Sequence, residues 1–460
     1  MARVLLVNLA SLPMPGNEPI FPIGVRCVQA CLDRAGHHTE LIDFVEDPAA
    51  LTDLRWAAES RDVIGFSIRN IDPINLTSEG HVRHYEHFVG QVRAAAGGDP
   101  VFVGGGPGYS LFGAALVDRL GLDVGVVGPG EETMRQIAED PGAYRGRRAN
   151  LTGARHPGFL SDVLAHPQAL MSAYIAADPT AMIGVETRRK TCYQECVYCP
   201  YAYITGENAG DLKPIANLAA EIEGIHRAGI RRIFFTDGIF NSERRYAKQV
   251  VRMLVELALP GLTWSAYFTP KPFDDEFAAL LPPSNVESVI ISPDSLEPGM
   301  MRTLGKSFDL RHVDRCVDRC RRNGLDLRVN VVFGGPGENR QTVAATAEYA
   351  NRRLRAGELL IHTGFRVLPG TALARQLAIP DGELLEPTFY PVEPDLFRWI
   401  MADLDTRFVP PAALIIMMSR RNAARSMERV PLPAPTDAPG PAASHVMVRR
   451  LPAEIPVRGR

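Results

Sequence analysis

Three cysteines stand close together in "TCYQECVYCPYA" (191–202): Cys192, Cys196 and Cys199. A structural zinc site needs four ligands, but the next histidine, His226, lies in a helical pattern and no second cysteine pair is near. A thioredoxin-type redox pair would leave Cys192 without a role. Three thiolates on three irons of a cubane, with the fourth iron open, use all three residues. The spacing therefore favours an iron–sulfur cluster over zinc or plain thiols.

The elements around the cysteines predict where this loop lies. The loop follows a strand-like run, and from there apolar runs alternate with helical stretches. This pattern predicts an open, partial (β/α)6 barrel with its site at the carboxyl ends of the strands. The six runs are 181–189, 231–238, 262–268, 286–294, 325–335 and 358–370.

The first part of the chain shows a second alternation of the same kind. Its short apolar runs, separated by amphipathic stretches, predict a doubly wound, Rossmann-like α/β domain. Ligands of such sheets bind beyond the carboxyl ends of the strands, which directs attention to the residues that follow each run. The runs are 4–8, 39–44, 63–68, 101–106 and 124–128.

These patterns divide the chain into five parts. We expect the Rossmann-like domain at 1–140, a connecting segment at 141–178 and the barrel at 179–380. A small irregular capping region follows at 381–428, and 429–460, rich in Pro and Ala, is expected to be a flexible tail.

Charge and hydropathy exclude several partners. The net charge of −3 and the scattered arginines give no basic stripe for nucleic acid. No apolar run approaches the roughly 20 residues of a membrane span, and the N-terminal apolar stretch is broken by Pro. We expect a monomeric cytoplasmic protein, in which clustered cysteines indicate metal or redox chemistry.

The cysteine loop resembles the signature of the radical S-adenosylmethionine (SAM) superfamily, with an aromatic residue, Tyr198, before the last cysteine. The resemblance implies that SAM chelates the open iron of a [4Fe-4S] cluster. An electron from the cluster then cleaves SAM to a 5′-deoxyadenosyl radical, and Tyr198 lies against the adenine. One departure is "RRKTC", where relatives commonly have Arg-Gly-Cys.

Four further segments resemble strand endings of this superfamily: "FFTDGIFN" (234–241), "SPDSLEPGMMRTLGK" (292–306), "VNVVFGGPGEN" (329–339) and "RVLPGTAL" (366–373). Asp237, Asp294 and Glu338 could also be simple caps and turn residues. The resemblance implies that the SAM contacts are Tyr198, Thr236, Asp237, Ser292, Asp294, Arg328, Gly335 and Glu338.

The N-terminal domain resembles the cobalamin-binding module that precedes many radical SAM enzymes, in "FPIGVRCVQACLDRAGHHTELIDF" (21–44) and in 101–133. Glycines there would let the backbone approach the corrin or its nucleotide tail. The resemblance implies that the cobalamin contacts are Ser67, Arg69, Asn70, Gly104, Gly105, Gly106, Gly128, Gly130 and Glu131.

The cobalt ligand of many such modules is absent from this sequence. The loop after the first strand, "NLASLPMPGN", contains no Asp-x-His-x-x-Gly motif. Arg69 in "GFSIRNIDPIN" could instead lie under the corrin and exclude water. Similar stretches occur in the tryptophan 2-C-methyltransferase branch of the family. The alternative is that Arg69 only pairs with Asp72 or Glu79.

The two modules together imply a cobalamin-dependent radical SAM C-methyltransferase. Its substrate would be a small natural-product or amino-acid-like molecule, and its reductant a protein such as flavodoxin or ferredoxin. Cyclisation, ring contraction or oxidation with the same cofactors is an alternative, and a tRNA-modifying methylthiotransferase is another.

Other conspicuous side chains favour packing roles. Cys27 and Cys31 lie one helical turn apart, as do Cys316 and Cys320, and each pair is expected in the core rather than at a second metal site. A last set of aromatics could cover the barrel or a flat substrate: Phe389, Tyr390, Phe397 and Trp399.

Overall fold

A computed structural model of the 460-residue chain shows two parallel sheets, each flanked by helices. The loop and tail residues Asp72, Glu79 and 429–460 lie outside the described part of the chain. The described residues are 1–14, 20–71, 80–154, 163–189, 192–201, 204, 211–402, 407 and 413–414.

The elements are numbered in chain order within the described residues. The strands are β1 Arg3–Asn8, β2 His38–Ile42, β3 Val63–Ser67, β4 Val101–Gly105, β5 Val124–Val127, β6 Ala149–Thr152, β7 Ile183–Val185, β8 Arg188–Arg189, β9 Asp211–Leu212, β10 Arg232–Phe235, β11 Thr263–Phe268, β12 Val286–Asp294, β13 Leu327–Phe333, β14 Leu359–Thr363 and β15 Ala413–Leu414. The helices are α1 Ile23–Arg34, α2 Arg55–Ala58, α3 Val82–Ala95, α4 Pro107–Arg119, α5 Glu131–Glu139, α6 Gln168–Ala177, α7 Ile215–Arg227, α8 Arg244–Leu257, α9 Asp275–Leu280, α10 Pro298–Thr303, α11 Leu310–Arg322, α12 Arg340–Arg353, α13 Ala372–Leu377 and α14 Pro394–Ala402.

The first sheet has the order β2-β1-β3-β4-β5-β6 with parallel pairing. Its central strands are buried on both faces because helices cover both sides, which explains their continuous apolar runs. Helix α1 ends where Gly36 adopts a positive φ of 81° and closes the helix. The predicted doubly wound domain is confirmed, and its strand order reverses between β1 and β3.

The second sheet has the order β15-β14-β13-β12-β11-β10-β7, also parallel. Buried and half-buried residues alternate along β13, so that Val329, Val331 and Phe333 face the helices while Asn330 and Val332 face the inside of the open barrel. The α/β fold with a partial barrel is confirmed, with β7 and β10 to β14 as the six strands.

The segment between the domains contains more structure than its sequence suggested. Residues 149–152 form β6 and add an edge strand to the first sheet, and 168–177 form α6. Neither element has a long periodic pattern. Contacts with distant parts of the fold stabilise these two elements. In α6, for example, Leu170 and Tyr174 are buried against the barrel core.

The two domains share a hydrophobic cluster. Phe66 and Tyr109 of the first domain belong to the same buried group as Leu304, Phe365 and Leu384 of the second. Apolar surface that two domains bury against each other is lost to water if they separate. The shared cluster therefore fixes the relative position of the carboxyl ends of the two sheets.

The late aromatic residues pack rather than line an open surface. Phe389 and Phe397 are buried, and Trp399 lies against the barrel core with the Arg407 guanidinium 3.5 Å from its ring centre. Within the described part of the chain, no helix has the length and hydropathy of a membrane span.

Candidate functional site

A cavity of about 290 Å³ opens at the carboxyl end of the first sheet. The ends of β1, β3, β4 and β5 form its floor, and α1 and α5 form a wall. This is the place where the strand order reverses and where such sheets bind ligands. The predicted cobalamin contacts that line it are Ser67, Gly104, Gly105, Gly106, Gly128, Gly130 and Glu131.

The glycines of this cavity serve two purposes. A Cβ at Gly104 would lie 2.5 Å from a leucine side chain, and one at Gly106 would lie 2.5 Å from the carbonyl oxygen of Ile68. These two are required by the packing of the protein itself, which the sequence interpretation missed. A Cβ at Gly105 would meet no atom closer than 3.9 Å, and one at Gly128 none within 4 Å. Only this second kind leaves room beside the cavity for a ligand.

Glu131 gives a test of whether the cavity suits cobalamin. Its side chain is buried in the first turn of α5, and Oε1 accepts a hydrogen bond from Arg189. Its Oε2 is buried with no hydrogen-bond partner among the described residues. Buried acceptors are rarely left without a donor, and the amide groups around a corrin are donors of that kind. The lining residues therefore fit the group.

Residues from the barrel close the same cavity. Glu186, Arg188 and Arg189 precede the first of the three cysteines, Tyr201 follows the last, and all four line the cavity. Arg189 donates to Glu186 at 2.7 Å and also to Glu131. Burial disfavours the Arg189 cation, but the two carboxylates outweigh it and hold its pKa well above the ordinary value. An ion triad of one buried and two partly buried side chains therefore connects the two domains next to the cavity.

Arg69 and Asn70 lie outside this cavity. Burial lowers the pKa of Arg69, with the Tyr267 hydroxyl opposing the shift, so the guanidinium lies near a barrel strand. In the amide orientation that satisfies both groups, the Asn70 oxygen accepts from Arg69 at 3.0 Å. Within the described residues Arg69 forms no ion pair with a carboxylate. Its position under a corrin stays a prediction.

The cysteine loop is fixed by backbone hydrogen bonds. The Cys199 N–H donates to the Cys196 carbonyl at 3.1 Å, and the Val197 N–H donates to the Leu304 carbonyl at 3.2 Å. On the other side the Val197 carbonyl accepts from Leu373 at 2.8 Å. Distant parts of the barrel therefore hold the loop in place before any metal binds.

The three thiols are half-buried and close enough to interact. Burial raises the pKa of the Cys199 thiol to about 11, and its neighbours Cys196 and Cys192 add to the effect. Burial also raises the pKa of those two thiols. Thiolates are the metal-binding form, so bound iron would have to stabilise the charge that burial disfavours.

The geometry of the thiols bears on the choice of metal. Among the described residues, no three His, Cys, Asp or Glu side chains converge as ligands of one metal ion. Zinc requires such convergence, whereas a cubane binds each thiolate through a different iron. The loop is compatible with ligation of a cluster, in which each thiolate binds a different iron.

Tyr198 is held by partners that the sequence did not reveal. Its hydroxyl donates to Asp294, and its ring centre lies 5.0 Å from that of Phe365. Burial first, and then Asp294, raise its pKa well above the ordinary value. Lys306, whose Nζ pairs with Asp294, lies 3.3 Å from the same hydroxyl. Tyr198 is therefore a fixed wall of the site.

Two predicted SAM contacts follow β10. Thr236 bonds the Val185 carbonyl at 3.3 Å, and Asp237 accepts from Thr187 at 2.8 Å. Burial raises the pKa of Asp237 to about 7, against the opposing effect of Arg188. Its Oδ1 is buried, accepts no hydrogen bond from the described residues and lies 3.9 Å from Arg188 Nε.

The contacts predicted in the last residues of β12 and after β13 lie at the same edge of the sheet. Ser292 accepts a hydrogen bond from Asn330 at 3.0 Å. Gly335 packs so closely under Phe365 that a Cβ there would lie 2.8 Å from the ring. Glu338 accepts from the Gly334 N–H at 2.7 Å, and burial raises its pKa to about 7. Glu338 therefore shapes the turn that presents Gly335.

Arg328 does not join this group. It lies at the start of β13, where it donates to the Gly357 carbonyl at 2.5 Å and pairs with Asp326 at 2.8 Å. The cysteine loop and the other candidates lie at the opposite end of the strands. The prediction of Arg328 as a SAM contact is not supported, because a parallel strand carries its first residues away from the site.

Sequence reasoning missed three side chains here: Arg188, Lys306 and Phe365. Arg188 is buried, with Nη1 lacking a partner among the described residues and Nε 3.9 Å from Asp237. The only sequence signals were the two consecutive arginines before the cysteines and the lysine that ends the fourth-strand segment. Phe365 gave no signal.

Two known protein families match different parts of this chain. Residues 17–138 match the B12 binding domain, and residues 190–350 match the radical SAM superfamily. The chain is 26% identical to the tryptophan 2-C-methyltransferase of Streptomyces laurentii over 452 residues, which covers 82% of this chain and 74% of that protein.

Solved structures show the same architecture. The radical SAM methyltransferase TsrM from Kitasatospora setae, solved with tryptophan and a SAM analog, matches with a TM-score of 0.75 and 22% identity over 88% of each chain. A second TsrM structure, with cobalamin and a [4Fe-4S] cluster, matches with a TM-score of 0.69 and 23% identity, covering 82% of this chain and 76% of that one. The cobalamin-dependent enzyme OxsB, at 12% identity, matches with a TM-score of 0.68 over 88% of this chain and 67% of its own.

Proposed function

We propose that this chain, which belongs to the radical SAM proteins with an N-terminal B12-binding domain, transfers a methyl group to a carbon of a small amino-acid-like substrate. Both domains that this chemistry needs are present, and they share a hydrophobic cluster. A relative that is similar over 82% of this chain is a tryptophan 2-C-methyltransferase.

One observation carries the proposal. The cavity at the end of the first sheet is closed by Glu186, Arg188, Arg189 and Tyr201, which flank the cysteine loop. The two cofactor sites are therefore neighbours and can serve one substrate between them. Misplacement of reacting groups by about 1 Å can cost ~100-fold in rate, so this shared wall matters for catalysis.

Each site has its own set of residues. Cys192, Cys196 and Cys199 would hold the cluster, and Gly105, Gly128 and Glu131 would contact cobalamin. Bound cobalamin supplies the methyl group, and the cluster with SAM supplies the chemistry that prepares the acceptor. Asp237 Oδ1 accepts no hydrogen bond from the described residues and would be the acceptor for an amino group.

The inner face of the barrel suits a flat substrate. Phe234 and Tyr267 pack edge to face with ring centres 5.6 Å apart, and Tyr267 is 46% exposed. The Arg69 guanidinium lies near the Tyr267 hydroxyl. Aromatic faces bind planar rings, and a guanidinium binds a carboxylate. These groups support an aromatic amino acid as the substrate class.

The remaining partners belong to the same proposal. An electron has to reach the cluster, and a flavodoxin- or ferredoxin-like protein is the natural donor. We place the reaction in the cytoplasm, where cysteines stay reduced, and we propose that the protein acts as a monomer.

The test uses anaerobically reconstituted protein with cobalamin, tryptophan as the probe and SAM labelled in its methyl group. We expect the label on a tryptophan carbon, read by mass spectrometry and NMR. The control is the Cys192→Ala, Cys196→Ala, Cys199→Ala triple variant, which should hold no cluster and form no product. Related aromatic amino acids are tested in the same way. A product that forms without the label would contradict methyl transfer and favour cyclisation or oxidation.

A further inference from the structure

Lys306 is a buried cation beside a cluster cysteine. It lies between α10 and α11, and its Nζ is 3.5 Å from the Cys196 sulfur and 3.3 Å from the Tyr198 hydroxyl. It also pairs with Asp294, and the two side chains are only 4% and 3% exposed. The ammonium has three N–H donors, and these three neighbours account for them.

The backbone fixes this position. The Lys306 N–H donates to the Met301 carbonyl at 3.0 Å. Gly305 has a positive φ of 76°, and a Cβ there would collide with the carbonyl of Glu195 in the cysteine loop. The chain therefore passes so close to the loop that only glycine fits, and Lys306 cannot swing away without moving both segments.

The backbone conformation of Asp294 also fixes its side chain. It ends β12 with a positive φ of 58°, a conformation that non-glycine residues rarely adopt. In this position its carboxylate accepts from both Tyr198 and Lys306. Backbone conformations of this kind persist where the surrounding structure enforces them, often at functional sites. Asp294 therefore anchors the ammonium against the cysteine.

We propose that Lys306 is a positioning residue that raises the reduction potential of the cluster by donating a hydrogen bond to the Cys196 sulfur, with Asp294 moderating its charge. Reduction adds an electron to the cluster and its sulfurs, so a nearby donor and positive charge stabilise the reduced form more than the oxidised form. The inference rests on the cluster at the three cysteines and not on which carbon is methylated.

The first test is the Lys306→Met variant, which keeps the apolar stem and removes the donor. The reconstituted protein is titrated with dithionite without substrate, and the reduced cluster is followed by EPR. We expect the ratio of reduced to oxidised cluster at a fixed potential to fall about tenfold, equivalent to a shift of ~59 mV for one electron. An unchanged midpoint in protein with four irons and four sulfides per chain would overturn the proposal.

The second test is Asp294→Asn, which has the opposite expected sign. Asn tolerates a positive φ, so the strand ending is kept while the counter-charge of Lys306 is removed. The midpoint should rise, because the ammonium now acts on the cluster without compensation. A merely structural role would move both variants in the same direction. A lowered or unchanged midpoint in this variant overturns the proposal even if Lys306→Met fails to retain its cluster.

The matched control is Lys248→Met. Lys248 is also a largely buried lysine of the barrel, paired with Asp274 at 2.9 Å and Glu276 at 2.5 Å. Its printed partners are not in the described part of the cysteine loop, so the cluster midpoint of Lys248→Met should equal that of the wild type. A shift as large as that of Lys306→Met would overturn the assignment. If the expected potentials are found but wild type methylates nothing, the proposed function fails and this inference stands.

Discussion

At the scale of the residue, burial changes the pKa of Asp237. Its carboxyl group is fully enclosed near Arg188 and Thr187, and burial raises its pKa to about 7. The sequence showed only an aspartate after a strand, for which a turn role was an equal alternative. The hydrogen-bond acceptor that lacks a partner among the described residues distinguishes it from an ordinary turn residue.

This pKa predicts a pH dependence of stability. The pKa of Asp237 is raised in the folded protein, so its ionisation costs stability as the pH rises from about 4 to about 7. Asp237→Asn cannot ionise, so between pH 5 and 7 the apoprotein should gain about 1.4 kcal/mol on wild type per pH unit. Urea unfolding of the wild type and the variant at pH 5 and at pH 7 measures the difference in their free energies of unfolding. An equal offset at pH 5 and pH 7 would contradict the shifted pKa.

At the scale of elements, two neighbouring glycines at the end of β4 have different roles. One is required by contacts within the protein, and the other leaves space for a ligand. Gly106 has a φ of 100°, and its missing Cβ lets the β3 and β4 loops touch. The neighbouring Gly105 has free space beside the cavity. The run of three glycines in the sequence gives no hint of this division, because it depends on which neighbours each glycine faces.

Substitution of these two glycines should therefore have different effects, one on stability and the other on cobalamin binding. Gly106→Ala should destabilise the apoprotein by about 1–3 kcal/mol, because both φ and a backbone collision oppose the methyl group. Gly105→Ala should change the apoprotein by less than about 0.5 kcal/mol but weaken cobalamin binding about tenfold. Thermal unfolding and a cobalamin titration measure the two effects. If both variants lose stability equally, the assignment of Gly105 to the ligand is wrong.

At the scale of the whole molecule, the ion triad of Arg189, Glu131 and Glu186 connects the two domains. Glu131 begins α5 of the first domain, and the other two precede the cysteine loop. This triad and the shared hydrophobic cluster are contacts within the protein itself. They would set the position of the cobalamin site relative to the iron–sulfur site.

A double-mutant cycle tests this connection. Arg189→Met leaves the buried Glu131 carboxylate and the partly buried Glu186 carboxylate without this cation and should cost about 3–5 kcal/mol. Adding Glu131→Gln should recover part of that loss, with a coupling energy above about 1 kcal/mol, because the two residues touch. Chemical denaturation of all four proteins provides the cycle. Additive effects would show that the pair does not hold the domains.

The sequence determined the two α/β domains, the cysteine loop and most strand ends, because apolar periodicity and ligand spacing are local properties. The predicted runs 63–68 and 286–294 correspond to β3 and β12 within one residue. The tertiary structure alone decided that 149–152 joins a sheet, that Arg328 lies at the end of β13 opposite to the site, and that Lys306 reaches Cys196 from 110 residues away. These outcomes depend on contacts between distant segments, which the local pattern around any one residue does not contain.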